Sequence, residues 1–158
     1  MSDRWKAVER GAAAQLNSAL SDVGKYSPIE RIPILGRTGP DLTVNETGLV
    51  IDVKSRGRIP KRLFPTSGHI HMIGSMACFR LEDLSQVPEM PICASTPSWK
   101  DLTGWWTHMD EWTRDHEPRG ITTILIHRPR MPIGHIGIVL HIKDLRRLSC
   151  QLKTQQSN

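Results

Sequence analysis

Residues 39–56, GPDLTVNETGLVIDVKSR, join two runs rich in valine, leucine and isoleucine through the turn-like NETG, yet carry acids at Asp41 and Asp52 and an ammonium at Lys54. The breaker cluster Gly-Arg-Thr-Gly-Pro before them puts Asp41 at the start of one strand, and GLVIDVKS forms the next. A strand sends alternate side chains to one face, so Asp52 and Lys54 project together while Ile51 and Val53 point the other way. Folding the hairpin between Glu46 and Thr47 sets Leu42 opposite Ile51 and Asp41 opposite Asp52. Opposed residues have β-carbons about 5 Å apart, where like charges destabilise the pair. In a partly buried site one acid then holds a proton, or a cation sits between them. Hard carboxylate oxygens suit Mg²⁺, and a neighbouring lysine can orient or help deprotonate a bound water. The bland alternative is a solvated strand end, since Asp-x-Lys triplets arise often by chance.

Working outward, residues 3–23 read as an amphipathic helix, with Trp5, Val8, Ala12, Leu16, Ala19, Leu20 and Val23 recurring at three- and four-residue steps. Glu9 falls on that stripe, where an apolar residue is expected. On the other side of the hairpin, RGRIPKRLF packs Arg56, Arg58, Lys61 and Arg62 into seven residues, placed where a phosphate backbone needs them; Arg37 flanks the opposite approach.

The remainder is sketched more coarsely. Residues 65–100 are interrupted by Pro65, Pro88, Pro91 and Pro97, with HIHMIGSMACFRL as one strand. WKDLTGWWTHMDEWTRDHE is helical, with Trp105, Met109 and Trp112 on one face and Trp106 off it as the exposed aromatic. ITTILIH and IGIVLHI are strands, KDLRRLSCQL is a terminal helix, and residues 153–158 form a frayed tail. His69, His71, Cys78 and Cys93 match no common zinc-finger spacing.

The chain has 158 residues, 38% of them hydrophobic, enough for one domain with a core. No apolar run is long enough to span a membrane and no secretory leader is seen. Three scattered cysteines argue against a disulfide framework and fit a reducing compartment. Residues 1–64 hold 11 Lys and Arg against 7 Asp and Glu, residues 65–118 hold 3 against 8, and residues 119–158 hold 7 against 1. Two basic segments bracketing an acidic one suit a polyanionic partner.

Glu9 on the first helix, GPD ending at Asp41, and IDVKSR with Asp52 and Lys54 resemble the PD-(D/E)XK nuclease superfamily. The size, the helix-first order and the basic run after the lysine look most like archaeal-type Holliday junction resolvases and their phage-encoded relatives. Asp52 stands where a glutamate is commoner. The resemblance implies a single-domain α/β fold over residues 1–152, with a restriction-endonuclease-like mixed central sheet flanked by helices and residues 65–100 as an insertion. It implies Mg²⁺, or Mn²⁺ in its place, held by Asp41, Asp52 and the Val53 carbonyl, with Glu9 completing the acidic cluster. Lys54 would position the attacking water and stabilise charge on the phosphate. It further implies a homodimer cutting branched DNA such as a four-way junction, whose twofold symmetry it would match. The expected setting is the cytoplasm of a prokaryotic cell or a phage-infected host, with no membrane. The alternatives are another DNA-processing or restriction-type nuclease of the same superfamily and a non-catalytic basic DNA-binding module.

Overall fold

A computed structural model describes residues 4–33, 38–131 and 135–156. The first helix, α1 (Arg4–Ser21), buries Val8, Ala12, Ala13, Leu16, Ala19 and Leu20, the stripe expected from the sequence. Then come β1 (Leu49–Ser55), a 3-10 turn at Lys61–Leu63, β2 (Ile70–Ile73), β3 (Met76–Arg80), a 3-10 helix at Leu81–Glu89 and β4 (Ile92–Thr96). The chain ends with α2 (Lys100–His116), β5 (Ile121–His127), β6 (Gly137–His141) and α3 (Ile142–Gln156).

The strands form one open, mixed sheet in the order β1-β5-β6-β3-β2-β4, and the protein is a single α/β domain. β5 is buried at all seven positions, as a strand covered on both faces must be. It pairs with β1 in parallel, Leu49 beside Ile121 through Ser55 beside His127, and α2 supplies the crossover that a parallel pair requires. On one face Leu49, Ile51, Leu125, Ile138 and Phe79 pack with α1, α3 and the Leu81–Glu89 helix. On the other, Val50, Ile124, Ile126 and Val139 pack under Leu102 and Met109 of α2. Successive β1 residues thus enter opposite cores. Among the described residues no helix is long and apolar enough to cross a membrane.

Three expectations are corrected. Residues 41–44 are not a sheet strand hairpinned to β1. Leu42 instead bridges to Arg31, with the Thr43 amide donating to the Glu30 carbonyl at 2.8 Å and the Ile32 amide to the Asp41 carbonyl at 2.9 Å. Those backbone groups face residues 30–32, so Asp41 alone is left to bond the outer edge of β1. Second, HIHMIGSMACFRL is a hairpin and not one strand: Gly74, at φ +60°, opens a two-residue turn that a non-glycine residue resists. Third, α3 runs to Gln156, through most of the segment expected to fray. Within residues 65–100, β2, β3 and β4 make up half of the sheet.

Candidate active site

β1 supplies two functional side chains by simple alternation. Asp52 and Lys54 share a face, and the Lys54 ammonium lies 3.0 Å from Asp52 Oδ2. The backbone of the even-numbered residues serves β5: the Arg56 amide donates to the His127 carbonyl at 3.0 Å. That of Ile51 and Val53 therefore faces the open edge. There the Asp41 amide donates to the Ile51 carbonyl at 2.8 Å, and Asp41 Oδ2 accepts the Val53 amide at 2.8 Å. Asp41 is held in place by the chain entering it. Gly39 has φ +116° and sits against the Trp112 indole, where an added β-carbon would lie 2.9 Å from Nε1. Only glycine fits both the angle and the space.

The third acid comes from α1. Glu9 is buried on the apolar stripe, and its Oε1 accepts a hydrogen bond from Arg31 Nε at 2.8 Å. The Arg31 guanidinium also lies 5.0 Å from the centre of the Trp5 ring. Glu9, Asp41, Asp52 and Lys54 line one cleft of about 420 Å³, together with Trp5 and Ser55. Helix, loop and strand thus bring together the four residues singled out from the sequence.

Glu9, Asp41 and Asp52 share the cleft with Lys54 and Arg56, and Arg31 pairs with Glu9, yet burial and crowding raise the Asp41 and Glu9 pKa values. Burial pushes Asp41 up to about 8, helped by the hydrogen bond and charge of the Asp52 carboxyl and opposed by the Val53 amide. Glu9 is also raised, burial outweighing the Arg31 contact. Such crowding of hard oxygens is the chemistry a divalent cation relieves. Among the described residues, no three acid, histidine or cysteine side chains are grouped as a ready-made metal cage. The donor set still fits Mg²⁺, which needs only one or two carboxylates and takes its other oxygens from water and phosphate. Asp41 and Asp52 are the two carboxylates that could serve, and the Val53 carbonyl lies on the same open edge as its amide.

The basic residues divide. Arg56 lines the cleft, while Arg58, Lys61 and Arg62 are exposed along the connection after β1. Arg58 pairs with Asp101 at 3.2 Å and stands over the Trp105 ring. Arg37 lies outside the described residues. Trp106 is not an exposed aromatic: it packs on the α2-side core, 5.4 Å from the His141 ring. Cys78 is no metal ligand, because its thiol is fully buried, bonded to the Leu63 carbonyl and pushed up to about 12.

The sequence reading missed three residues. Arg31 neutralises Glu9, and Ser55 and His127 form a pair beside the cleft. His127 Nε2 lies 3.1 Å from the Met131 carbonyl, which can only accept, so Nε2 carries the proton. Nδ1 then accepts the Ser55 hydroxyl at 2.9 Å. Burial pulls His127 below its ordinary pKa, keeping it neutral in this role. No local pattern links Ser55 to His127; the parallel register does.

Arg31→Ala should destabilise the fold by about 3 kcal/mol in urea denaturation, because a buried carboxylate loses its partner. Arg31→Ala with Glu9→Gln should recover most of that loss. A single mutant within 0.5 kcal/mol of wild type would show the pair to be structurally idle.

Comparison with protein-family models, with curated proteins and with solved structures finds no match to this chain.

Proposed function

We propose that the protein is a magnesium-dependent DNA endonuclease of the PD-(D/E)XK type, with a restriction-endonuclease-like arrangement of its sheet. One observation carries the reading: Glu9, Asp41, Asp52 and Lys54 converge from a helix, a loop and a strand on one cleft, and the basic connection begins at that cleft's rim. Bound at Asp41 and Asp52, with the Val53 carbonyl, magnesium would supply Lewis-acid polarisation of the scissile phosphate.

The chain's own groups do the rest. Lys54 donates to the phosphate oxygens and stabilises the charge that grows as water adds to phosphorus and the sugar oxygen leaves. Asp52 orients Lys54 through their 3.0 Å contact. Asp41 ties the metal-binding edge of β1 to the Gly39–Pro40 entry. Glu9 lines the same cleft as Asp41, and Arg31 holds Glu9. Arg56, Arg58, Lys61 and Arg62 grip flanking phosphates without reading bases, which favours recognition of shape over sequence. Branched DNA is the preferred substrate, cut by a homodimer with two symmetric sites.

A second reading has an observation in its favour. Glu9 and Asp52 are already paired with Arg31 and Lys54, as they would be in a basic DNA-binding module with structural acids.

A nicking assay with Mg²⁺ against EDTA, on wild type and Asp52→Asn, separates the two. The nuclease loses cleavage by at least about a hundredfold under either treatment; the binding module never cuts. Across junction, flap and linear duplex substrates, faster junction cutting supports the resolvase form, and equal rates leave a general nuclease.

A further inference from the structure

The end of the sheet that carries the cleft has a second recess at its far edge. β1 and β5 are parallel, and each of the next three pairings, β5 with β6, β6 with β3 and β3 with β2, is antiparallel. β2 therefore runs against β1, and β4 runs with β2. The starts of β2 and β4 lie at the same end of the sheet as Ser55, where β1 finishes. Between them runs the connection carrying Arg56, Arg58, Lys61 and Arg62. Four strand spacings separate β1 from β2, about 19 Å along the sheet.

The recess has a volume of about 400 Å³ and is lined in part by Arg62, Thr66, His69, His71 and Cys93. Among the described residues no acid lines it. Asp83 holds the loop from beneath, accepting the Gly68 amide at 2.7 Å. His69 Nδ1 lies 3.1 Å from the Ser67 carbonyl and donates to it, which leaves Nε2 available to a ligand. His71 lines the recess, and among the described residues its buried Nε2 has no hydrogen-bond partner, a cost that a ligand oxygen would relieve where a small ring movement lets it reach Nε2. A guanidinium, a hydroxyl and two imidazoles without a lining carboxylate match the chemistry of a phosphate group. Among the described residues the recess offers none of the carboxylate oxygens that the acidic cleft presents to a divalent cation.

We infer that this recess binds a backbone phosphate of the same nucleic acid strand that enters the acidic cleft, about 19 Å across the sheet end from it. The inference rests on the nuclease reading for the identity of the strand, but not for the recess itself. It makes the span between the two sites a ruler for the substrate.

Two measurements on the full chain test it, neither needing cleavage. In the first, inorganic phosphate is titrated while the His69 and His71 ring-proton NMR signals are followed, with chloride at matched ionic strength as control. Saturable shifts with phosphate alone, weakened about tenfold by Arg62→Ala, are expected. Equal responses to phosphate and chloride would overturn the recess as a phosphate site.

In the second, alkylation of Cys93 is timed in EDTA with and without a duplex of about 20 base pairs, long enough to cover both sites. Cys93 and Cys150 are both exposed, and Cys150 on α3 serves as the internal control. Duplex should slow Cys93 by about tenfold, leave Cys150 unchanged, and lose this protection in Arg62→Ala. A duplex bound by fluorescence polarisation that leaves Cys93 at its free rate would overturn the shared strand. Protection of Cys93 in a protein that never cuts would keep this inference and remove the nuclease.

Discussion

Lys54→Ala is expected to lower magnesium-dependent DNA cleavage by about a thousandfold, with duplex affinity reduced only severalfold. Its ammonium lines the cleft, 3.0 Å from Asp52, and is directed there by strand alternation and by the Trp105 ring 5.9 Å away. An ammonium so placed contributes most when negative charge gathers on the phosphate, so kcat and kcat/KM should fall together while KM holds. Lys54→Arg keeps the charge, but its broad planar fork does not reproduce a compact point charge; partial rescue at most is expected. Single-turnover cleavage with saturating Mg²⁺ reads the effect, with circular dichroism to show that the variant is folded. A loss smaller than tenfold would remove Lys54 from the chemistry.

The second large effect concerns stability and runs opposite to activity. Asp41 has a folded-state pKa of about 8 against an ordinary value of 3.8. Below the lower value the acid is protonated whether folded or not and costs nothing. As pH rises towards 8, the unfolded chain releases the proton more readily than the folded one, and stability falls. Asp41→Asn removes the titration while its amide oxygen can still accept the Val53 amide. The variant should match wild type near pH 4 and exceed it by about 3 kcal/mol near pH 9, while losing cleavage. Thermal melts across that range measure the difference; a constant offset would show that Asp41 does not titrate as its surroundings dictate. Magnesium at about a hundred times its dissociation constant should stabilise wild type by about 2.7 kcal/mol at pH 8, and the Asn variant far less. An acid that weakens the fold and whose loss abolishes cleavage would be a functional group held at a stability cost.

Legibility in the sequence followed the range of the forces involved. α1 and α2 were readable because burial imprints a period on each, β5 and β6 because burial on both faces leaves a continuous run, and Glu9 stood out by breaking the period of α1. Asp52 and Lys54 were readable because alternation acts over a few residues, whereas Asp41 reaches them from a loop and not through the expected hairpin. The Gly74–Ser75 turn carries a local signal in its glycine, but the apolar residues on both sides of it mask the break between β2 and β3. The Leu81–Glu89 helix, with Pro88 inside it, and β4, with Ile92 exposed on an edge, offered no clean period.

Sequence alone determined which residues are apolar, which acids sit where an acid is costly, and where the positive charge runs. Tertiary structure alone decided that β1 pairs with β5 and not with residues 41–44, that Arg31 answers Glu9, and that Ser55 meets His127. A side-chain pattern reports whether a segment is buried and with what period, but not which distant segment buries it. That choice is made by the whole sheet at once, when backbone groups far apart in the chain must find partners together.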